Sequence, residues 1–258
     1  MTIPEGGLQS MRILLTGAAG KVGSELRRLL RPDFGIRSVD IRPVEGEADA
    51  HVADIAKLDQ LLPLMTGMDA VAHLAITSTR TIPDYNSDAY WEAQLDVNVK
   101  GTFNVFEAAR RAGVRKVVYM SSLTTVFGYP RDRYIDRNTA ALPDSVYALT
   151  KQMGEQVGEL YSRMHGISAI CFRLGCPVDA ANLPPQAQTD KYYRSLCVSF
   201  DDIAQAYRLA LLSKDIPFGV YNLLSDNPES LWDLSATREA LGYRPRHSFA
   251  PEGVKLVS

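Results

Sequence analysis

The chain has 258 residues, 46% hydrophobic and 22% charged, enough apolar side chain to bury one substantial core. Lys and Arg total 28 against 30 Asp and Glu, so there is no cationic excess to hold a phosphate backbone, and a nucleic-acid partner is excluded. No apolar run is long enough to span a bilayer, MTIPEGGLQS lacks an apolar signal core, and three cysteines (Cys171, Cys176, Cys197) are too few for a disulfide framework; no membrane association and a reducing cytoplasm are expected. Met11 stands just before the first apolar run, so residues 1–10 read as a flexible extension.

Apolar runs predict strands at 12–15, 36–39, 51–52, 70–74, 116–120 and 167–172, with helical periodicity at 21–31, 57–66, 88–112 and 145–165 between them. This alternation predicts an α/β fold: a doubly wound parallel sheet with right-handed crossovers and helices on both faces. Ligands of such sheets bind beyond the carboxyl ends of the strands, where strand order reverses. Further on, NLPPQAQ (182–188) reads as a loop, SFDDIAQAYRLALL as an amphipathic helix and GVYNLL as a late strand. The expected division is a sheet-bearing, ligand-binding unit over 11–175 and a small substrate-binding lobe over 176–258 packed on it. The apolar face of 88–112 suits either a helix pair with a second subunit, making a homo-oligomer, or simple cover for the sheet.

TGAAGKVG follows the first strand and opens the first helix, the context in which a glycine triad signals a dinucleotide. Gly17 permits the tight turn, Gly20 lets main chain approach a pyrophosphate, and Gly23 lets the helix press on the sheet; Ala19, Lys21 and Val22 complete the loop. The helix N-terminus then holds the anion. Asp40 stands 23 positions after Gly17 at the end of the second strand, where a carboxylate accepts from ribose hydroxyls and repels a 2′-phosphate. NAD is therefore the expected cofactor over NADP, with Arg42 close enough to soften the preference. Asp54 follows the third strand and suits either an adenine amino group or the cap of the next helix.

SVYALTK puts Tyr147 and Lys151 one turn apart on one helix face. A phenol titrates near 10 and is a poor base at neutral pH unless a cation stabilises the phenolate; Lys151 is that cation. No metal site is expected, because neither the four histidines nor the three cysteines show ligand spacing.

On TGAAGKVG, VDI, ADI, HLA (73–75), NVKGTFNVFEAA (98–109), VVYMSS and YALTK, the chain resembles the extended branch of the short-chain dehydrogenase/reductase superfamily, the NAD-dependent epimerase/dehydratase type, from about residue 12 onward. The resemblance implies a Rossmann sheet. It also implies that Ile41 and Ile55 flank the cofactor beside Asp40 and Asp54, and that the main chain from His73 through Leu74, Ala75 and Ile76 lines it. Asn98 would reach the cofactor or brace the neighbouring strand, and Lys151 would hold the nicotinamide ribose. From the residues alone, Asn98 is equally a helix-surface amide and His73 a strand-end side chain satisfied by backbone.

Within MSSLTTVFGYP, many relatives place a substrate-binding hydroxyl where this chain has Leu123. Ser122 or Thr124 must then supply it, and Ser122, 25 residues before Tyr147, is favoured. A non-serine after the SS pair resembles the narrower uronate dehydrogenase group, as do KYYRSLCVSFDD and SLWDLSATREALGYRP, and the 107 residues after Lys151 leave little room for a lobe enclosing a nucleotide sugar. That likeness implies Arg194 as clamp for a sugar carboxylate, ahead of Arg173, and Ser78 as a further substrate contact.

The expected activity is NAD-dependent oxidation of a small sugar or sugar acid. As the resemblance implies, hydride would leave the anomeric carbon, Tyr147 would take the proton, Ser122 would orient the hydroxyl, and a lactone would result. The alternatives are an epimerase or dehydratase that retains its NAD, and a non-catalytic dinucleotide sensor.

Overall fold

The structure is a computed structural model that describes residues 11–77, 82, 84, 85 and 87–257. The expectations for residues 1–10 and for Ser78 lie outside the described residues.

In chain order, β1 (Arg12–Thr16), α1 (Lys21–Leu30), β2 (Gly35–Asp40), β3 (Ala50–Val52), α2 (Leu58–Leu61), β4 (Ala70–His73), α3 (Asp88–Ala93), α4 (Thr102–Ala112), β5 (Lys116–Ser122), α5 (Val146–His165) and β6 (Ser168–Leu174) form the expected alternation. Then come β7 (Cys176–Val178), α6 (Pro185–Thr189), α7 (Lys191–Ser195), β8 (Cys197–Ser199), α8 (Phe200–Leu212), β9 (Phe218–Leu223), α9 (Ser235–Leu241), β10 (His247–Ala250) and β11 (Gly253–Leu256). The central sheet has seven parallel strands in the order β3-β2-β1-β4-β5-β6-β9. The order reverses between β1 and β4, which places a crevice at their carboxyl ends.

Both faces of the sheet are apolar, as two-sided helical cover demands. Ile13 and Leu15 of β1, with Val118 of β5 and Ile170 of β6, pack under α1 and α8 through Leu26, Leu30, Ile203 and Tyr207. Their neighbours Leu14, Val117 and Ala169 point the other way, onto Val105, Phe106 and Ala109 of α4 and Tyr161 of α5. The sheet does not stop at residue 175. Its last strand is β9, and Val198, Tyr207, Leu223 and Tyr243 share one core with Ile13. What stands apart is a smaller set of apolar clusters over the carboxyl edge, one joining Leu123, Ile135, Leu196 and Trp232, the other Val178, Cys197 and Phe249.

Two expected helices are interrupted. The helix expected over 57–66 is α2 followed by a 3₁₀ turn, Leu62–Met65, because Pro63 cannot donate the next α-helical hydrogen bond. The helix expected over 88–112 carries a wide π turn, Gln94–Gly101, which directs Asn98 inward and leaves Gly101 so close to Ile55 that a Cβ would lie 2.7 Å from its Cδ1.

The longest helix, α5, is capped by Ser145 accepting from the Ala148 N–H and ends at Gly166 with φ 66°. Midway, Gly154 lets it lie directly on β5: a Cβ there would come within 2.5 Å of Tyr119 Cζ. Gly154→Ala should therefore lower stability by about 1–2 kcal/mol despite the roughly 1 kcal/mol that alanine gains in helix propensity. Urea unfolding checks this; an unchanged or raised midpoint would show that the two elements can separate without loss.

Candidate active site

The first β–α turn is built for close backbone approach. Gly17 has φ 74°, and a Cβ on it would stand 2.7 Å from the Ala75 nitrogen; on Gly23 a Cβ would stand 2.0 Å from the Gly17 oxygen. The Gly20 N–H donates to that same oxygen at 3.0 Å. No side chain caps α1 at Gly20 and no acidic residue lies in its first turn, so the positive helix end is left for an external anion. This bare cradle fits a dinucleotide pyrophosphate. Lys21, exposed beside it, donates to the Pro177 carbonyl at 3.1 Å and so ties the turn to β7, while Val22 packs inward.

At the end of β2, Asp40 is nearly buried and holds the loop's shape: it accepts from the Ala19 N–H and the Arg42 N–H, each at 3.0 Å. Arg42 folds back to donate to the Ala19 carbonyl at 2.9 Å, leaving most of its side chain in solvent beside the exposed Ile41. Of the two roles open to Asp54, the helix cap is not formed: its Oδ1 accepts from the Ala56 N–H at 2.9 Å within its own turn, and α2, with Lys57 as its N-cap, has no side-chain cap. Ile55 is buried against the π turn.

Beyond β4, Leu74 is buried, Ala75 half-buried and Ile76 exposed. Asn98 is a brace: its Oδ1 accepts from the Thr77 N–H at 2.9 Å, and its Nδ2 donates to Gln94 at 2.6 Å and to Thr150 of α5 at 3.1 Å. His73 is fully buried between Thr16 at 2.7 Å and Thr102 at 3.0 Å. Thr102 gives its own proton to the Asn98 carbonyl, so it accepts from His73 Nε2–H and Nδ1 accepts from Thr16. Burial first, and then the Lys151 charge, hold this imidazole neutral, down to about 3.

Tyr147 opens α5 and Ser122 closes β5. Ser122 Oγ accepts from the Thr124 N–H at 3.2 Å and hydroxyl at 2.9 Å, which leaves its own proton for the Tyr147 phenol oxygen. Burial pushes that phenol up to about 12, against the lowering effect of the Ser122 hydrogen bond. Lys151 lies beneath, 2% exposed, donating to the Met120 carbonyl at 2.6 Å, with its Nζ 4.9 Å from the Tyr119 ring and 5.9 Å from the Tyr147 ring. Burial brings its ammonium down to about 7, opposed by the Glu155 charge one turn on. Glu155 in turn accepts from Ser121 at 2.6 Å and from both arms of Arg173 at 2.9 and 2.8 Å.

A cavity of about 270 Å³ opens at this point. Ser122, Leu123 and Thr124 line it, as do Phe127, Arg131, Gln186, Asp190, Tyr192 and Tyr193, which the sequence reading passed over. Leu123 is also buried in the apolar cluster with Trp232, so the leucine fills space at the edge of the cavity. Neither expected arginine lies in the wall. Arg194 is buried, donating to Glu229 at 2.6 and 3.0 Å and to the Ala187 and Gln188 carbonyls. Arg173 is closed onto Glu155. The physical reason is the same for both: a buried guanidinium must be paired, and each finds a carboxylate on a neighbouring part of the fold. Only a PRDR loop with no regular structure marked Arg131 in the sequence.

Among the described residues no group of His, Cys, Asp and Glu could hold a metal, and no helix is long and apolar enough to cross a membrane.

A model of the NAD dependent epimerase/dehydratase family matches residues 13–183. The chain is similar to the uronate dehydrogenase of Pseudomonas syringae pv. tomato, 32% identical over 242 residues, covering 92% of this chain and 82% of the relative. It is also similar to the L-arabinose 1-dehydrogenase (NAD(P)(+)) of Haloferax volcanii, 31% identical over 93% of this chain and 98% of the relative. Among solved structures, a mutant uronate dehydrogenase of Agrobacterium tumefaciens complexed with NAD superposes with a TM-score of 0.80 at 25% identity, covering 94% of this chain and 86% of that one.

The Asp40 and Arg42 geometry makes cofactor preference testable. Asp40→Asn keeps the side-chain shape and removes the charge that a 2′-phosphate would meet, so the ratio of NADP to NAD affinity should rise about tenfold, equivalent to about 1.4 kcal/mol. Calorimetric titration with both dinucleotides measures it, and an unchanged ratio would remove Asp40 from the discrimination.

Proposed function

The chain belongs to the NAD-dependent epimerase/dehydratase family, and from that membership we propose that it oxidises a small sugar or sugar acid at the anomeric carbon, giving a lactone. The glycine turn of Gly17, Gly20 and Gly23 would hold NAD, which when bound would supply the hydride acceptor and a positively charged ring. The C1–H bond breaks as the hydroxyl oxygen of the same carbon becomes a carbonyl, and Tyr147 takes the hydroxyl proton. Ser122, whose hydroxyl also reaches the phenol, orients the sugar hydroxyl. Lys151 lies under the tyrosine, its ammonium brought down to about 7 by burial, where its charge stabilises the phenolate; within the family's pattern it would also hold the nicotinamide ribose.

The observation that carries this reading is Ser122, which meets the Tyr147 phenol above the buried Lys151 and also lines a cavity of about 270 Å³ at the carboxyl edge of the sheet. That volume is at the small end of ligand sites and suits a monosaccharide better than a nucleotide sugar. Oxidation is favoured for the same reason over epimerisation of nucleotide-linked substrates. The sugar cavity is walled from both sides of residue 175, by Ser122, Thr124 and Arg131 as well as by Asp190, Tyr192 and Tyr193, so the substrate lobe expected over 176–258 supplies part of the wall and the core is shared. The exposed Trp91, Leu95, Phe103, Leu149, Leu160 and Met164 on α3 to α5 support a homo-oligomer, and the three unpaired cysteines suit a reducing cytoplasm.

With a panel of hexuronates and neutral aldoses, NADH formation should appear with the wild type. Tyr147→Phe should lower kcat by about a thousandfold or more while NAD affinity holds within about twofold. Product without net NADH would mean the hydride returns to substrate; no turnover on any sugar would remove the reading.

Oxidation needs the phenolate, so kcat/KM should fall as pH drops through the tyrosine's titration. Lys151→Met deletes the cation that favours phenolate and should move this acid limb at least about one pH unit upward. A pH profile with an unmoved limb would show that Lys151 does not tune Tyr147.

A further inference from the structure

We propose that Arg131 selects an acidic sugar by receiving its carboxylate, an inference that rests on the sugar-oxidising reading above. Among the described residues lining the cavity, Arg131 is the single cation. Its engagement differs from that of the two arginines expected from the sequence. Arg173 and Arg194 are closed onto Glu155 and Glu229, whereas Arg131 makes no ion pair among the described residues.

Its guanidinium lies over the Tyr192 ring, 4.8 Å from the centroid. Stacking uses the face of the guanidinium and leaves its edge, with the in-plane N–H donors, open to a planar carboxylate. Tyr192 neighbours Phe127, whose ring in turn neighbours Trp232, so the cation rests on a packed aromatic row.

The loop that carries Arg131 is pinned at both ends. Gly128 N–H donates to the Leu142 carbonyl and Leu142 N–H to the Thr125 carbonyl, each at 2.8 Å. Ile135, 3% exposed, donates to the Leu231 carbonyl at 2.8 Å and accepts from the Asp233 N–H at 2.9 Å. A cation on such a loop is pre-organised, which lowers the ordering cost of binding.

Charge chooses between two kinds of anionic sugar. Asp190 is also in the wall, its Oδ1 accepting from the Tyr192 and Tyr193 N–H groups at 2.8 and 3.1 Å. One cation opposed by one carboxylate suits a monoanionic sugar acid, and it disfavours the dianion of a sugar phosphate.

Wild type, Arg131→Ala and Arg131→Lys are to be assayed with a hexuronate, the matching neutral aldose and the matching hexose 6-phosphate. Loss of a bidentate charged contact should raise KM for the hexuronate about 10- to 100-fold in Arg131→Ala, with kcat and the neutral aldose changed by no more than about threefold. Arg131→Lys should recover part of the loss. High salt should weaken hexuronate binding by the wild type and not by Arg131→Ala.

Equal losses on acid and neutral sugars, no loss on either, or wild-type preference for the phosphate would each overturn the proposal. Calorimetry in the Tyr147→Phe background with NAD present separates the two readings. Hexuronate binding that depends on Arg131 without any wild-type turnover leaves this inference standing and removes the reaction; turnover indifferent to Arg131 does the reverse.

Discussion

The contact between Gly23 and the Gly17 carbonyl sets the geometry on which the rest depends. Because no Cβ intervenes, α1 begins directly against the end of β1, and its N-terminal N–H groups face the crevice with no side chain of their own to cap them. The same turn brings Gly17 against Ala75, so the loops after β1 and β4, the two strands flanking the reversal of strand order, form one continuous floor. Asp40 and Arg42 then fix the side of that floor through the Ala19 main chain.

From this floor a line of buried polar groups runs under the reacting end. Thr16, His73, Thr102 and Asn98 form a neutral chain joined by directed hydrogen bonds, and Asn98 extends it to Thr150 on α5. The charged part lies deeper: Lys151 over Glu155, and Glu155 held by Arg173 and Ser121. Buried charges are costly unless paired; Lys151 makes no ion pair among the described residues, and burial brings its ammonium down to about 7 against the opposing Glu155 charge.

The segment after β6 does two unrelated jobs. β9 and α8 complete the sheet and its cover, while α6, α7 and the Trp232 cluster close the cavity over Ser122. Leu123 belongs to the second group, so its apolar side chain anchors the roof of the pocket.

The alternation of strands and helices, the glycine turn, Asp40, and the pairing of Tyr147 with Lys151 were legible in the sequence, since each is a short-range pattern: period 2 or 3.6, or a spacing within one turn. The wide turn at Gln94–Gly101 was not, since its inward-facing Asn98 is stabilised by Thr77 and Thr150, which lie far away in the chain. Only the tertiary structure decided which arginine faces the cavity. Arg194 finds Glu229 across 35 positions and Arg173 finds Glu155 across 18, and a side chain's freedom to meet a ligand depends on partners that folding, not local pattern, brings to it.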